Sequence, residues 1–452
     1  MKVAKFGGSS LADADQFRKV RDIITSDPER RLIVVSAPGR RGADDTKVTD
    51  LLIACAEARL AGASAEAELR AVVARYAEIA RDLSLPDDLV DGIAEDLRGR
   101  LAAPAGDRGR FLDSVKAAGE DNCAKLMAAC LSAAGAGARY VSPRDAGLVV
   151  SDEFGNARVL PESYERLSHL ADAAGVTVFP GFFGYSPQGV VVTFPRGGSD
   201  ITGAVLAAAV KADVYENFTD IDSVLVADPE IVPNARPLVE LTYREMRELS
   251  YGGFDIFHEE ALEPVFHAGV PVHIKNTNNP SAAGTRIVVD RVSALGRVAG
   301  IASDAGFCSI YVSKYMMNRE VGFGRRLLQI IEDEGLSYEH TPSGIDNISV
   351  IVREKQFDAE AETMIVGRIR EQLDVDDVSV ERGLSLVMIV GECMRHAVGI
   401  AARACGAFAR AGISIEMINQ GSTEVSMMFG VKADENARAV RALYEEFFEN
   451  DD

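Results

Sequence analysis

The chain has 452 residues, 69 of them acidic and 48 basic, for a formal charge of −21. That length calls for two or three domains, and that charge excludes nonspecific binding to nucleic acid or to an anionic membrane surface. No apolar run approaches the roughly 20 residues of a membrane-crossing helix. The opening MKVAKFGGSS has no apolar signal core, six cysteines form no CxxC pair, and six histidines show no metal-ligand spacing. The expectation is a cytoplasmic protein with no membrane and no nucleic-acid partner, built on packed interiors that its 47% hydrophobic content can fill.

Residues 2–6 alternate into a strand that runs into Gly7, Gly8, Ser9 and Ser10, and residues 11–24 read as a helix. Lys5 stands at the strand end. The spacing is not that of a P-loop, whose lysine follows its glycines. A lysine here either neutralises a transferring phosphoryl group or is simply solvated. Residues 31–36 give a second buried strand, closed by Ala37, Pro38 and Gly39, and KVTDLLIACAEARL starts a helix at whose head Thr49 and Asp50 cap or touch a ligand. Residues 61–112 read as a helical insertion without chemistry. The next helix, 113–134, carries Glu120 on one face with Ala124, Met127 and Leu131. A carboxylate there either ends the stripe in solvent or meets a cation.

Strand-like runs follow at 140–142 and 175–179, then the glycine-rich turn PGFFGYSPQG with Phe182. Residues 190–194 read as a strand and 201–210 as a helix, separated by Arg196, Gly197, Gly198, Ser199 and Asp200. Strand, paired glycines and helix N-terminus make an anion site, to which Arg196 adds a planar fork. Asp200 would repel an anion unless it faces a cation, an amine or a transferable proton. A substrate that is both acid and amine, such as an amino acid, satisfies both charges; the simpler reading has Asp200 cap its helix. A strand at 213–218 ends in Thr219 and Asp220, helices lie at 243–249 and 256–268, and 270–275 is a strand. This alternation implies a mainly parallel sheet covered by helices on both faces, with ligands at the strands' carboxyl ends.

From residue 300 the rhythm becomes βαββαβ: strands at 308–315, 337–341, 347–352 and 375–382, with helices at 322–334 and 359–373. A second pass has strands at 384–391, 413–419 and 424–431 and helices at 398–411 and 434–447. It lacks one strand, which residues 298–303 supply if the first module is inserted in the second.

KFGGSS, VVSAPG, PRGGSD, FTD before an ADP loop, and IKNTNNP, in that order, resemble the aspartate kinases of the amino-acid kinase superfamily. The tail resembles paired ACT domains, small ferredoxin-like sensors of amino acids. The resemblance implies a catalytic domain over 1–296 with its helical insertion at 60–112, one ACT domain at 306–382, and a second at 298–305 plus 383–452. It implies transfer of phosphate from MgATP to the β-carboxylate of L-aspartate, with ATP and Mg²⁺ as cofactors. Lys5, Asp200 and Arg196 are then catalytic, and Arg196 also binds the aspartate carboxylate with the backbone of Gly197, Gly198 and Ser199 and with Thr49. Glu120 receives the ammonium and Phe182 lines the pocket. The nucleotide side comprises Lys5, Phe6, Gly7, Gly8, Ser9, Ser10, Thr219, Asp220, Leu225, Asp228, Glu230, Asp255 and Ile256. The effector side comprises Met317, Asn318, Gly322, Phe323 and Glu339, with lysine the favoured effector, threonine the alternative, and a homodimer formed through the ACT sheets. The chain departs from the commoner pattern at Pro195, Leu225, Glu230 and Asp255. All but Pro195 concern the outer ATP contacts, and a catalytically silent amino-acid sensor is the competing reading they raise; a module that only dimerises is the competing reading of the tail.

Overall fold

The computed structural model describes residues 1–254, 259–291, 297–394, 397–421 and 425–449. They fall into two compact units, one of residues 1–224, 237–243 and 255–291, the other of residues 225–236, 244–254 and 292–452. The described residues of each are taken in turn.

The first unit is built on an eight-stranded sheet. Its strands are β1 (Lys2–Phe6), β2 (Arg30–Val35), β3 (Ala138–Tyr140), β4 (Val176–Pro180), β7 (Val214–Thr219), β8 (Glu240–Thr242), β9 (Val272–Asn276) and β10 (Thr285–Val288); β5 (Phe183–Tyr185) and β6 (Val191–Thr193) form a separate hairpin. The order is β3-β4-β2-β1-β7-β9-β10-β8, and every pair is parallel except β9 with β10. Strands inside the sheet, buried on both faces, explain the continuous apolar runs LIVV of β2 and VTVF of β4. The helices are α1 (Ala14–Thr25), α2 (Val48–Leu60), α3 (Glu66–Asp82), α4 (Asp87–Ala102), α5 (Arg108–Ala133), α6 (Pro143–Ala146), α7 (Glu162–Ser168), α8 (Gly198–Ala209) and α10 (Glu259–Ala268).

Strand alternation sorts the faces. Ala4, Phe6, Ile33 and Val35 point into a core with α1 to α5, where Phe6 stacks on Phe218 with ring centroids 4.7 Å apart. Lys5 lies on the opposite face, toward α8, which packs on β1, β2 and β7. The short strand expected at 140–142 sits two residues earlier, because Ser142 caps α6 instead.

The second unit contains α9 (Tyr243–Tyr251) from Arg244 onward and a five-stranded antiparallel sheet, β12-β11-β13-β15-β14. These strands are β11 (Gly300–Ser313), β12 (Asn347–Arg353), β13 (Asp377–Val390), β14 (Met417–Asn419) and β15 (Ser426–Lys432), with helices α11 (Phe323–Asp333), α12 (Ala359–Leu373), α13 (Ile400–Ala411) and α14 (Asn436–Tyr444). Two expectations need correction. Residues 298–303 and 308–315 do not form separate strands, nor do 375–382 and 384–391; each pair lies along one 14-residue strand, β11 or β13, because the two pair with each other along both halves. Their register shifts on either side of Phe307, next to Gly306 at φ 87°. Residues 337–341 make only an isolated bridge, His340 with Ile351, through backbone bonds from Glu339 N to Ile351 O and from Ile351 N to His340 O, each 2.8 Å.

Candidate active site

At the carboxyl ends of β1, β2 and β7 the first unit holds a cavity of about 590 Å³. It is lined by Lys5, Gly7, Gly8, Ser9, Ser36, Ala37, Pro38, Gly39, Arg40, Lys47, Thr49, Glu120, Arg196, Gly197, Asp200, Thr219 and Asp220. A larger cavity of about 830 Å³ lies on another face of α8, against Glu260, Glu263 and His267. Its lining includes neither the Gly7–Gly8 turn nor Gly197 nor the carboxyl ends of β1, β2 and β7, so the smaller cavity is the candidate site.

Lys5 is 7% exposed, and its Nζ lies 2.6 Å from Oδ1 of Asp200. Asn217 completes the group: its Nδ2 donates to Asp200 Oδ1 at 2.8 Å and its Oδ1 accepts from Lys5 Nζ at 3.4 Å. The sheet register brings them together, since Lys5 and Asn217 are cross-strand partners on β1 and β7. Asp200 therefore does more than sit at a helix start. Gly197, at φ 79°, turns the chain into α8 and presents Asp200 from the first turn.

The turn after β1 is pinned at both ends, Gly7 N to Phe218 O at 3.1 Å and Ser10 N to Gly7 O at 3.0 Å. Among the described residues the Gly8 and Ser9 amides have no backbone acceptor, which suits them to a bound anion. Gly39 packs against this turn so closely that a Cβ there would lie 2.5 Å from the Gly8 carbonyl carbon. Ser10 is buried and hydrogen-bonds Thr277 at 2.7 Å, tying the FGGSS and IKNTNNP motifs to one another.

Glu120 is 5% exposed, so the reading that left it at the solvent end of its stripe is set aside. Its Oε2 is buried without a hydrogen-bond partner among the described residues, a costly state for a charged group. Burial pushes its carboxyl up to about 8, against the pull of the Ala37 backbone amide, its own backbone amide and Lys116. An ammonium in the cavity would supply the missing partner. Arg196 is exposed at the opposite charge end of the same cavity.

The other expected residues are placed variously. Thr49, Gly7, Gly8, Ser9, Gly197, Thr219 and Asp220 line the cavity. Phe6 and Ser10 lie behind it in the core. Gly198 and Ser199 are buried in the first turn of α8, Ser199 against Gly181 and Gly198 against Phe182. Phe182 does not line the cavity; it holds φ 75°, a strained conformation for a bulky residue, fixed by hydrogen bonds to Thr202 and Phe194. Leu225, Asp228 and Glu230 belong to the second unit, where Asp228 Oδ1 accepts from the Glu230 amide at 2.9 Å. Asp255 and Ile256 lie outside the described residues. Asn217, Arg40 and Lys47 were not anticipated. Lys47 stands two residues before Thr49 in KVTD, a signal that was available; Asn217 sits inside a strand and gave none.

On the second unit, Met317 and Asn318 form a 3-10 turn, and Gly322 precedes α11, whose first residue Phe323 is buried in the core. Both oxygens of Glu339 are engaged, Oε1 by Arg353 Nε at 3.0 Å and Oε2 by the Tyr251 hydroxyl.

A sequence model of the amino acid kinase family matches residues 1–276, and one of an ACT domain matches residues 387–447. The chain is 58% identical to Aspartokinase 3 of Bacillus subtilis (strain 168) over 448 residues, 99% of each chain. Its fold matches the crystal structure of Clostridium acetobutylicum aspartate kinase with a TM-score of 0.88 at 36% identity, covering 99% of this chain and 100% of that one. The same fold appears in E. coli aspartokinase III in complex with aspartate and ADP, at TM-score 0.78 and 23% identity over 99% of this chain and 100% of that one. The chain belongs to the amino acid kinase family, and within it to the aspartate kinases. Its activity is therefore that of a phosphotransferase with a carboxyl group as acceptor. No helix among the described residues is long and apolar enough to cross a membrane.

Proposed function

We propose that this chain phosphorylates the β-carboxylate of L-aspartate with ATP through the residues of the 590 Å³ cavity, giving 4-phospho-L-aspartate. The observation that carries the assignment of roles is that Glu120, buried with one carboxyl oxygen unpartnered among the described residues, lines the same cavity as Arg196 and the Lys5–Asp200 pair. A zwitterionic diacid needs one anionic partner for its ammonium, one cationic clamp for its α-carboxylate, and room for the second carboxylate beside a phosphate. Glu120 takes the first part, Arg196 the second with Thr49, and the Gly7, Gly8 and Ser9 turn with Thr219 and Asp220 takes the nucleotide. Lys5, held in place by Asp200 and Asn217, neutralises charge on the transferring phosphoryl group. The attacking carboxylate is already ionised, so no general base is required and the residues act by positioning and charge neutralisation.

Mg²⁺, when bound, neutralises the phosphates. The ion would be held chiefly by the phosphates and water. The ACT region supports regulation by an amino-acid end product, lysine in preference to threonine, in a cytoplasmic homodimer that opens lysine, threonine and methionine biosynthesis.

The test is ADP release with aspartate and MgATP, repeated with lysine and threonine singly and together, beside a light-scattering mass. Turnover with aspartate supports the catalytic reading. Aspartate binding without turnover supports a silent sensor, the reading that Glu230 favours by standing where a cation is commoner in relatives.

A further inference from the structure

Residues 61–112, which hold α3 and α4, read from sequence as an insertion without chemistry, yet α3 reaches the candidate site through Arg75, Tyr76 and Glu78. Arg75 is 4% exposed. Its Nη1 donates to the Gly39 carbonyl at 2.9 Å, and its Nη2 to both carboxylate oxygens of Asp45, at 2.7 and 2.6 Å, and to the Thr46 carbonyl at 3.3 Å. One turn on, Glu78 holds Arg41, which itself binds Asp45. The next residue after Arg75, Tyr76, is fully buried and donates to the Gly119 carbonyl at 2.7 Å, immediately before Glu120.

These contacts converge on the cavity walls. The loop from Pro38 to Val48 is closed by a Val48 N to Pro38 O bond and carries Gly39, Arg40 and Lys47 into the cavity, with Thr49 directly after it. The Gly39 peptide is gripped from both sides: its carbonyl by Arg75, its amide by the Gly8 carbonyl at 2.8 Å. A buried guanidinium that satisfies two carbonyls and a carboxylate fixes a loop far more firmly than surface ion pairs do.

We infer that Arg75 is a positioning residue for phosphoryl transfer: through Gly39 it sets the nucleotide-facing Gly8 turn, and through Asp45 and Thr46 it sets the Lys47–Thr49 wall of the amino-acid pocket. This rests on the roles given to those residues above. Arg75 does not touch substrate.

The test uses the full chain with Arg75→Met, Arg75→Lys and Asp45→Asn. Arg75→Met lowers kcat/KM for both ATP and aspartate by about 100-fold, the scale expected of a misplacement near 1 Å, and Arg75→Lys recovers part of it. Asp45→Asn keeps the Gly39 contact, so it raises the aspartate KM about tenfold while the ATP KM stays within twofold. Amide hydrogen exchange without substrate speeds up over residues 8–11 and 38–48 in Arg75→Met, and over 38–48 alone in Asp45→Asn. Unchanged KM values and unchanged exchange overturn the inference, as does a loss confined to the melting temperature. Should Arg75→Met fail to fold, Asp45→Asn decides. If the wild type does not act on aspartate, the roles assigned to the cavity fall, and the exchange data still decide whether Arg75 holds the loop.

Discussion

Lys5 on β1 and Asn217 on β7 are paired neighbours in the sheet, and both bind the same carboxylate oxygen of Asp200 on α8. The ammonium is thus fixed by strand register before any substrate arrives. Replacing Lys5 with Met should lower kcat by about 10²–10³-fold, the size of losing one preorganised electrostatic donor. The aspartate KM should stay within threefold, because the proposed roles give the binding of that substrate to Glu120 and Arg196. Steady-state kinetics with saturating MgATP checks both; a near-normal kcat removes Lys5 from the chemistry.

The proposed pairing of Glu120 with the substrate ammonium predicts that aspartate binding depends on pH. Its folded carboxyl titrates near 8, so the unliganded enzyme carries it protonated at neutral pH and must release that proton to bind an ammonium. Aspartate affinity should therefore rise as pH increases toward about 8. Calorimetry in buffers of different ionisation enthalpy should find a proton released on binding at pH 7, and Glu120→Gln should abolish both effects.

The same group sets a stability slope of defined sign. Its folded pKa is raised, so its contribution is fully present below the unfolded carboxylate value and is lost as pH climbs through about 8. Denaturant titrations of the ligand-free protein should show wild type losing stability against Glu120→Gln between about pH 5 and 8, with no further divergence above.

The proposed role of Arg196 as clamp for the α-carboxylate is open to a direct test. Arg196→Ala should raise the aspartate KM about 100-fold, within the 2–5 kcal/mol typical of removing one partner of a charge-assisted pair. Arg196→Lys should recover little, since an ammonium cannot grip a carboxylate with two parallel bonds. Equal ATP KM values in all three proteins would place the effect on the amino-acid side.

Gly39→Ala tests the nucleotide turn from the other direction. The added Cβ would meet the Gly8 carbonyl carbon at 2.5 Å and the Ser9 amide nitrogen at 2.8 Å, both backbone atoms, so the turn itself must move. The ATP KM should increase at least about tenfold, with a smaller change for aspartate. Nucleotide fluorescence titration measures it directly.

What the sequence made legible was local. A lysine ahead of two glycines, and an Arg-Gly-Gly-Ser-Asp turn ahead of a helix, each advertise an anion site by backbone chemistry alone. What it hid depends on pairing over long separations. Asn217 becomes a site residue only because β1 and β7 lie in parallel register, and Arg75 only because α3 folds back on the loop after β2. Periodicity reports which face of an element is apolar, and it left Glu120 open between solvent and a buried cation partner; only packing against Ala37 and Tyr76 resolved its burial. The tail misled in a different way, since two short apolar runs separated by a glycine look the same whether they are two strands or one bulged strand.

β11 and β13 run unbroken through the whole antiparallel sheet, hydrogen-bonded to each other on both sides of the bulge beside Gly306. No flexible tether separates the end of the sheet bearing β12 from the end bearing β14 and β15. A twist imposed at one rim is carried to the other along two covalent backbones, so the two rims cannot turn independently.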